Sequence, residues 1–358
     1  MSENVPGDSP AASAFGDVQA ECLRVQPVMH VARTIGELGG DPQRVLAEAG
    51  IPAGLFANPD NSIPLQALGD LLERCVAVTR CQHFGLRVGA GAGGNPHGLL
   101  GDVMERCADV GTAIAHFHQY FHLLDRSALL TRTVGGASAS IGYALTESTG
   151  PGADQISDAA AAIGMGLLRR LCGAQWKPQA VLLPRQRPRD VRPYEEVFAC
   201  TPQFAAERAV LIFLAGDLLR RIAAADRERR AVLCERLTAV ASQCDPDFAD
   251  QVRRVVRGLL AVRRCSLDEV AALFGMSCRR INRKLERQGT TFHRISQEEL
   301  CAQAERMLRD TDLTLGQISA ALDYAEAGVF TRAFRNWRGV TPSEWRRANV
   351  RIPASRGG

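Results

Sequence analysis

Lysine is nearly missing from this chain: of 43 basic residues in 358, only Lys177 and Lys284 are not arginine. A GC-rich genome explains that bias as readily as chemistry does, so arginine at any one position says little by itself. Paired cysteines are missing too. The eleven cysteines form no C-x-x-C pair and their number is odd, which excludes a disulfide framework or a zinc knuckle and leaves reduced thiols as the expectation. Long apolar runs are absent: AVLIFLAG at 209–216 has eight residues, against the ~20 that a membrane-spanning helix needs. The opening MSENVPGDSPAASAFGDVQAE has no basic leader and no apolar centre, so it is expected to be a disordered tail (1–20) and no signal peptide. No G-x-S-x-G, no H-E-x-x-H and no nucleophile–base spacing occurs. The expectation is a cytoplasmic protein that is not an enzyme, with no cofactor, no metal and no membrane partner.

What is present is unevenly distributed. Residues 250–358 hold 20 Arg/Lys against 12 Asp/Glu, while residues 1–249 hold 23 against 27. A basic C-terminal third on an acidic body implies a polyanionic partner for one part and other work for the rest. From residue 21 the pattern is helical, with apolar residues at three- and four-residue spacing in QPVMHVARTIGELGG, in IPLQALGDLLERCVAVTR and in GDVMERCADVGTAIAHFHQYFHLL. DPQRVLAEAG starts with an Asp41 cap and Pro42 at the first helical position. SALLTRTVGGASASIGYALTE (127–147) turns to β character about Gly135-Gly136, and ISDAAAAIGMGLLRRLCG (156–173) returns to helix. QAVLLPR (179–185) and RAVLIFLAG (208–216) are strand candidates around a proline-rich loop. The expectation is an α+β domain over 21–240, a linker at 241–250 broken at Asp245-Pro246, and an all-α domain over 251–350.

The last third contains a repeat. At an offset of 48, Leu267, Val270, Leu273 and Phe274 fall on Leu315, Ile318, Ala321 and Leu322. After one inserted residue, Ile281, Arg283 and Leu285 fall on Phe330, Arg332 and Phe334; after one more, Gly289, Thr291 and Ile295 fall on Gly339, Thr341 and Trp345. Both copies open on a capping-box pattern, Ser266…Glu269 and Thr314…Gln317. The same pattern places a connecting helix at Ser296…Glu299 and a last one at Thr341…Glu344. Each copy reads as helix, short turn, helix, the helix-turn-helix shape.

SCRRINRKLER (277–287) packs five cations into eleven residues. On a helix Cys278, Ile281 and Leu285 share one stripe, and Arg279, Asn282, Arg283 and Glu286 share the opposite face. A lone arginine-rich helix is ordinarily a solvated surface, or a contact for a membrane surface or RNA. Duplication of its scaffold favours double-stranded DNA instead. Arginine grips guanine and asparagine grips adenine through paired hydrogen bonds. The flanking Arg280, Lys284 and Arg287, with Arg335 and Arg338 in the second copy, suit phosphates, which add affinity without sequence information. A connecting helix over 294–309 would be roughly 24 Å long, which suits two reading helices about one turn of B-DNA apart.

The stretch 266–345, and above all LTLGQISAALDYAEAGVFTRAFRNWRGVTPSEWR, resembles the tandem helix-turn-helix domain of AraC/XylS-type bacterial transcription regulators. That resemblance implies a sequence-specific transcription factor, an activator that recruits RNA polymerase, with Arg279, Asn282, Arg283, Thr331 and Arg332 at base edges. The chain departs from the family at the second turn, with Asp323-Tyr324 in place of Gly-Phe, and in the connecting helix, with Leu300 where an arginine is common. The first 240 residues are similar to the arabinose-binding-type sensor domain of one branch of the family. This implies a small-molecule effector and a homodimer.

Three other stretches carry competing readings. In HFHQYFH (116–122), His118 and His122 lie one turn apart with Asp125 beyond, a partial metal set without further ligands. Aromatic packing with histidines at the helix edge is the plainer reading, and His118, Tyr120 and His122 as effector-pocket lining is the functional one. GAGAGGNPHG (89–98) lacks the P-loop lysine and reads as a flexible loop. RQRPRDVRPYEE (185–196) reads as a solvated loop, or as a partner or effector-gate surface. Cys200, between Ala and Thr-Pro, lacks the setting of the alkyl-transfer repair proteins that also carry this helix pair; a reactive cysteine there is the alternative function, and an architectural DNA binder is another.

Overall fold

The computed structural model describes residues 22–145, 150, 152–243, 248–261, 265–274 and 276–349. The expected tail, 1–20, lies outside them. The chain divides into two compact units, 1–245 and 246–358.

The first unit opens with strand β1 (Cys22–Arg24), antiparallel to β2 (Ser62–Pro64), and with helices α1 (Val31–Glu37), α2 (Pro42–Glu48), α3 (Leu65–Thr79) and α4 (Phe84–Ala90). Asp41 caps α2 by accepting from the backbone N–H of Gln43 and Arg44, with Pro42 at the first position where no N–H is needed. Helices α5 (Gly98–Glu105) and α6 (Val110–Tyr120) lead into β3 (Ala128–Gly135) and β4 (Ser138–Leu145). Gly135 pairs with Ser138, so the turn is Gly136-Ala137, one residue later than the glycine pair implies. Gly136 supplies the positive φ of 58°.

Helix α7 (Gly152–Cys172), β5 (Ala180–Leu182), α8 (Arg192–Phe198), β6 (Ala209–Leu214) and α9 (Arg227–Gln243) follow. The sheet order is β3-β4-β6-β5, antiparallel throughout. Along β6 Ala209, Leu211 and Phe213 are buried and their neighbours are not, the period of two expected of a sheet with one covered face. Helix α7 is the spine of the unit. Met165, Leu168 and Leu171 join the core over the sheet, while Ile156 joins the core of α1–α4. Small residues make that second contact close. A Cβ added at Gly85 would lie 2.0 Å from the Gln155 carbonyl oxygen, and one at Gly89 would lie 2.3 Å from that of Ala159. The amide of Gly85 also donates to Gln155 Oε1 at 2.8 Å.

The second unit is helical throughout its described residues: α10 (Phe248–Ala261), α11 (Leu267–Leu273), α12 (Cys278–Arg287), α13 (Phe292–Asp310), α14 (Leu315–Ala321), α15 (Ala327–Arg338) and α16 (Pro342–Asn349). The expected linker, 241–250, is helical at both ends, since α9 runs to Gln243 and α10 begins at Phe248. Asp245-Pro246 itself lies outside the described residues. The connecting helix starts earlier than Ser296: Thr291 caps it by accepting from the Arg294 amide, leaving Ser296 inside the helix. Among the described residues no helix is long and apolar enough to cross a membrane.

Candidate functional sites

In the second unit the repeat is a repeat of packing. Val270, Ile281 and Leu285 are fully buried in the first copy, and Ile318, Phe330 and Phe334 in the second. The matched glycines share a conformation too, with Gly289 at φ 71° and Gly339 at φ 75°, each just past the end of the second helix of its copy. Thr314 and Gln317 form the complete capping box of α14. Ser266 accepts from the Glu269 amide at 3.2 Å. Thr341 and Glu344 complete a third box at α16, the Thr341 amide donating to Glu344 Oε2 at 2.8 Å.

With Ile281 and Leu285 turned inward, Arg279, Arg280, Arg283 and Arg287 of α12 are exposed and Asn282 is half-buried. On α15, Arg332 and Arg335 are exposed over Phe330 and Phe334. Arg283 and Arg332 occupy equivalent places. Three expected contact residues have work inside the unit. Lys284 Nζ sits 4.4 Å from the centre of the Phe248 ring, a cation–π contact that ties α12 to α10. Arg338 makes a paired bridge to Glu305 on α13, at 2.5 and 3.0 Å. Thr331 donates its hydroxyl proton to the Ala327 carbonyl of its own helix at 2.8 Å. Cys278 is half-buried, with its thiol 2.9 Å from Asp268 Oδ1, so it joins α12 to α11.

The connecting helix is braced on both sides. Glu299, 4 % exposed, accepts from Arg257 at 2.9 Å, and Arg253 reaches Glu298 at 2.6 Å. The Leu300 side chain packs against the apolar cluster of the second copy instead of making an ion pair. Arg346 of α16 donates to the carbonyls of Leu308 and Leu313, satisfying backbone oxygens at and beyond the end of α13. At the second turn Asp323 takes φ 62°, and Tyr324 packs on Phe330 and Trp337. The aspartate thus holds the left-handed conformation for which glycine is the default. Asp323→Val is expected to destabilise this unit by about 1–2 kcal/mol and Asp323→Gly not at all, read as shifts in thermal unfolding.

The first unit contains an almost wholly apolar cavity of about 100 Å³. It lies between α7, the strand β1 and the face of the β3-β4-β6 sheet, with residues such as Leu72, Phe117, Ile156 and Leu211 in its wall. His118, Tyr120 and His122 do not line it; their neighbours Phe117 and Phe121 do. His118 is half-buried with its pKa lowered by burial, and the Tyr120 hydroxyl lies 3.4 Å from Thr238 on α9. Asp125 serves the fold, accepting from the Ser127 amide and hydroxyl at 2.7 and 2.6 Å and from the Tyr143 hydroxyl at 2.9 Å. Among the described residues no group of three His, Cys, Asp or Glu is placed to hold a metal.

The glycine-rich segment supplies a cavity residue that its composition hides. The Asn95 side-chain amide donates to the Gly98 carbonyl at 2.7 Å and to Asp102 at 2.8 Å, so the loop is braced. It carries His97, 3 % exposed, into the cavity wall with its Nδ1 unpartnered. Burial lowers the His97 pKa to about 3, so the ring is neutral near neutral pH. The charged loop at 185–196 is likewise more than a solvated surface: Arg185 is buried, 2.5 Å from Asp158 Oδ2 and hydrogen-bonded to Tyr194. Burial also pushes the Cys200 thiol up, away from the thiolate a reactive cysteine needs.

An α+β unit with an apolar cavity and a tandem helix-turn-helix unit with an exposed basic face together define a DNA-binding transcription regulator with an effector-binding domain. Residues 39–222 match the family model for the arabinose-binding domain of AraC transcription regulator, N-terminal, and residues 270–348 match a helix-turn-helix domain. The chain belongs to the AraC family of transcription regulators. It is 28 % identical over 317 residues to the HTH-type transcriptional regulator VirS of Mycobacterium tuberculosis, spanning 87 % of this chain and 92 % of that one. The ornithine utilization regulator of Pseudomonas aeruginosa is 23 % identical over 92 % of this chain and 97 % of its own. The transcriptional activator NphR of a Rhodococcus species is 29 % identical over 28 % of this chain and 30 % of its own.

Proposed function

We propose that this regulator reads an operator through α12 and α15 together and activates transcription when its first unit binds an effector. The carrying observation is the exposed arginine face of α12 over buried Ile281 and Leu285, with Arg332 at the place equivalent to Arg283. Arg279, Asn282 and Arg283, with Thr331 and Arg332, are assigned to base edges, and Arg280, Arg287 and Arg335 to phosphates. Lys284 and Arg338 remain phosphate candidates that must share their charge with Phe248 and Glu305.

Activation, with recruitment of RNA polymerase in the cytoplasm, draws support from NphR being an activator. A homodimer through the first unit is supported by Val134 and Leu214, each about half exposed at the hairpin end of the sheet; sedimentation of the full chain tests it. DNA reading is tested by titrating operator and random DNA at fixed salt. Arg287→Ala is expected to weaken both alike and to lower the salt slope by about one. Equal affinity of the unaltered chain for operator and random DNA would oppose sequence-specific reading and favour an architectural role.

A further inference from the structure

We propose that the cavity of the first unit takes an uncharged, largely hydrocarbon molecule bearing one hydrogen-bonding group, and that this group meets Nδ1 of His97. The proposal rests on the reading of this unit as the effector-binding domain and adds the chemistry of the effector. It departs from the sugar that the name of the matching family model brings to mind.

Size comes first. A water needs ~10–15 Å³ of such space, and this cavity offers about 100 Å³. Apolar cavities of about 150 Å³ stay dry and bind benzene. The space therefore suits a single aromatic ring or a short branched chain.

The polar inventory of the wall sets the rest. Four side chains with strong hydrogen-bonding groups reach it: Arg24, His97, Asp125 and Tyr143. Arg24 is committed, its Nε donating to the Leu123 carbonyl at 3.0 Å and its Nη1 to the Asp60 carbonyl and carboxylate at 3.0 and 3.2 Å. Asp125 is committed to Ser127 and to Tyr143, whose hydroxyl proton it receives. His97 differs. Its ring is held edge-on to Phe117, centroids 4.9 Å apart, and Nδ1 is buried without a partner. An unmade hydrogen bond on a buried nitrogen favours any ligand that supplies one.

The same inventory excludes two ligand classes. A pentose would bring several hydroxyls into a wall of mostly apolar side chains, where Arg24, Asp125 and Tyr143 are already paired, and each unpaired hydroxyl carries a desolvation cost. A carboxylate would enter an apolar space that already contains Asp125 and whose one guanidinium is in use. A hydroxyl is the most versatile match, since it can donate to or accept from whichever tautomer His97 adopts.

Calorimetric titration of the full-length protein near neutral pH with phenol, toluene, sodium benzoate and L-arabinose tests this. Phenol is expected to bind, toluene to bind about tenfold more weakly, and benzoate and L-arabinose to bind at least a hundredfold more weakly than phenol. His97→Phe should bring phenol down to the level of toluene. Ala160→Phe, which fills the cavity from a half-buried position on α7, should abolish binding of both. L-arabinose or benzoate binding as tightly as phenol overturns the proposal. So does an absence of heat from phenol and toluene, or undiminished phenol binding by a folded Ala160→Phe. If Ala160→Phe does not fold, the ranking in the unaltered chain decides. Operator binding is measured separately, so the wrong ligand class leaves the DNA-reading function standing.

Discussion

Replacing Gly85 by leucine is expected to leave the first unit unfolded, and Gly85→Ala alone to cost it about 3 kcal/mol. The reason is backbone contact. The added methyl would overlap the Gln155 carbonyl oxygen, which lies 2.0 Å from the ideal Cβ position. A side chain in the way could rotate, but a helical carbonyl cannot, so α4 and α7 must separate. That would break the hydrogen bond from the Gly85 amide to Gln155 and move Ile156 and Ala159, both in the cavity wall. Gly89→Ala, facing Ala159 and Ala162, should behave alike. Urea unfolding followed by circular dichroism measures the loss. DNA binding by the second unit, which has its own core, should survive. A Gly85→Ala protein as stable as the unaltered chain would mean that the helices pack less closely than the structure has them.

Arg185→Met is expected to cost about 3–5 kcal/mol, the range for breaking a buried ion pair from one side. Asp158 is fully buried and Arg185 nearly so, and the Tyr194 hydroxyl donates to the same carboxylate at 2.7 Å. Removing Arg185 strands a carboxyl in the core. Removing both charges, in Asp158→Asn with Arg185→Met, should recover most of the loss, because the amide oxygen introduced in place of the carboxylate would still accept from Tyr194. The pH dependence gives an independent reading. Burial raises the Asp158 pKa to about 6, against the pull of Arg185 and Tyr194, from an ordinary value of about 3.9. Between those values the folded chain binds the proton and the unfolded chain does not. This carboxyl's contribution is therefore most favourable below pH ~4 and is lost as pH rises to ~6, by at most about 3 kcal/mol. Asp158→Asn should flatten that part of the stability profile. His97 works in the opposite sense: its lowered pKa makes its contribution full above pH ~6.5 and reduces it as acid is added.

What can be read from the sequence is local or periodic. The cap at Asp41-Pro42, the β character of 127–147, the repeat and the inward stripe Ile281–Leu285 each depend on residues a few positions apart. What cannot be read depends on partners far along the chain. Arg185 looks solvated among prolines and charges because Asp158, 27 residues away, is brought to it only by packing. His97 stands in a run of glycines that reads as flexible, and the bracing by Asn95 and Asp102 is a matter of conformation. Its one sequence signal is a lone histidine between Asn-Pro and a helix. Lys284 and Arg338 point to phosphate by lying on the flank of the reading face; the ring and the carboxylate that hold them come from α10 and α13. In the first unit the pattern of HFHQYFH does not reveal which of its residues reach the cavity: Phe117 and Phe121 line it, and His118, Tyr120 and His122 do not.

The central claim is that α12 and α15 both read bases, with Arg283 and Arg332 in equivalent roles. Selection of bound sites from a random DNA pool by the full-length protein, by Arg283→Ala and by Arg332→Ala tests it most directly. Each variant is expected to lose about 1–3 kcal/mol on the preferred site and to relax the choice of base at one position. The two relaxed positions should lie about one helical turn apart, roughly 10–10.5 base pairs. Uniform loss of affinity with unchanged base preference in both variants would contradict the account and return these arginines to the phosphate backbone.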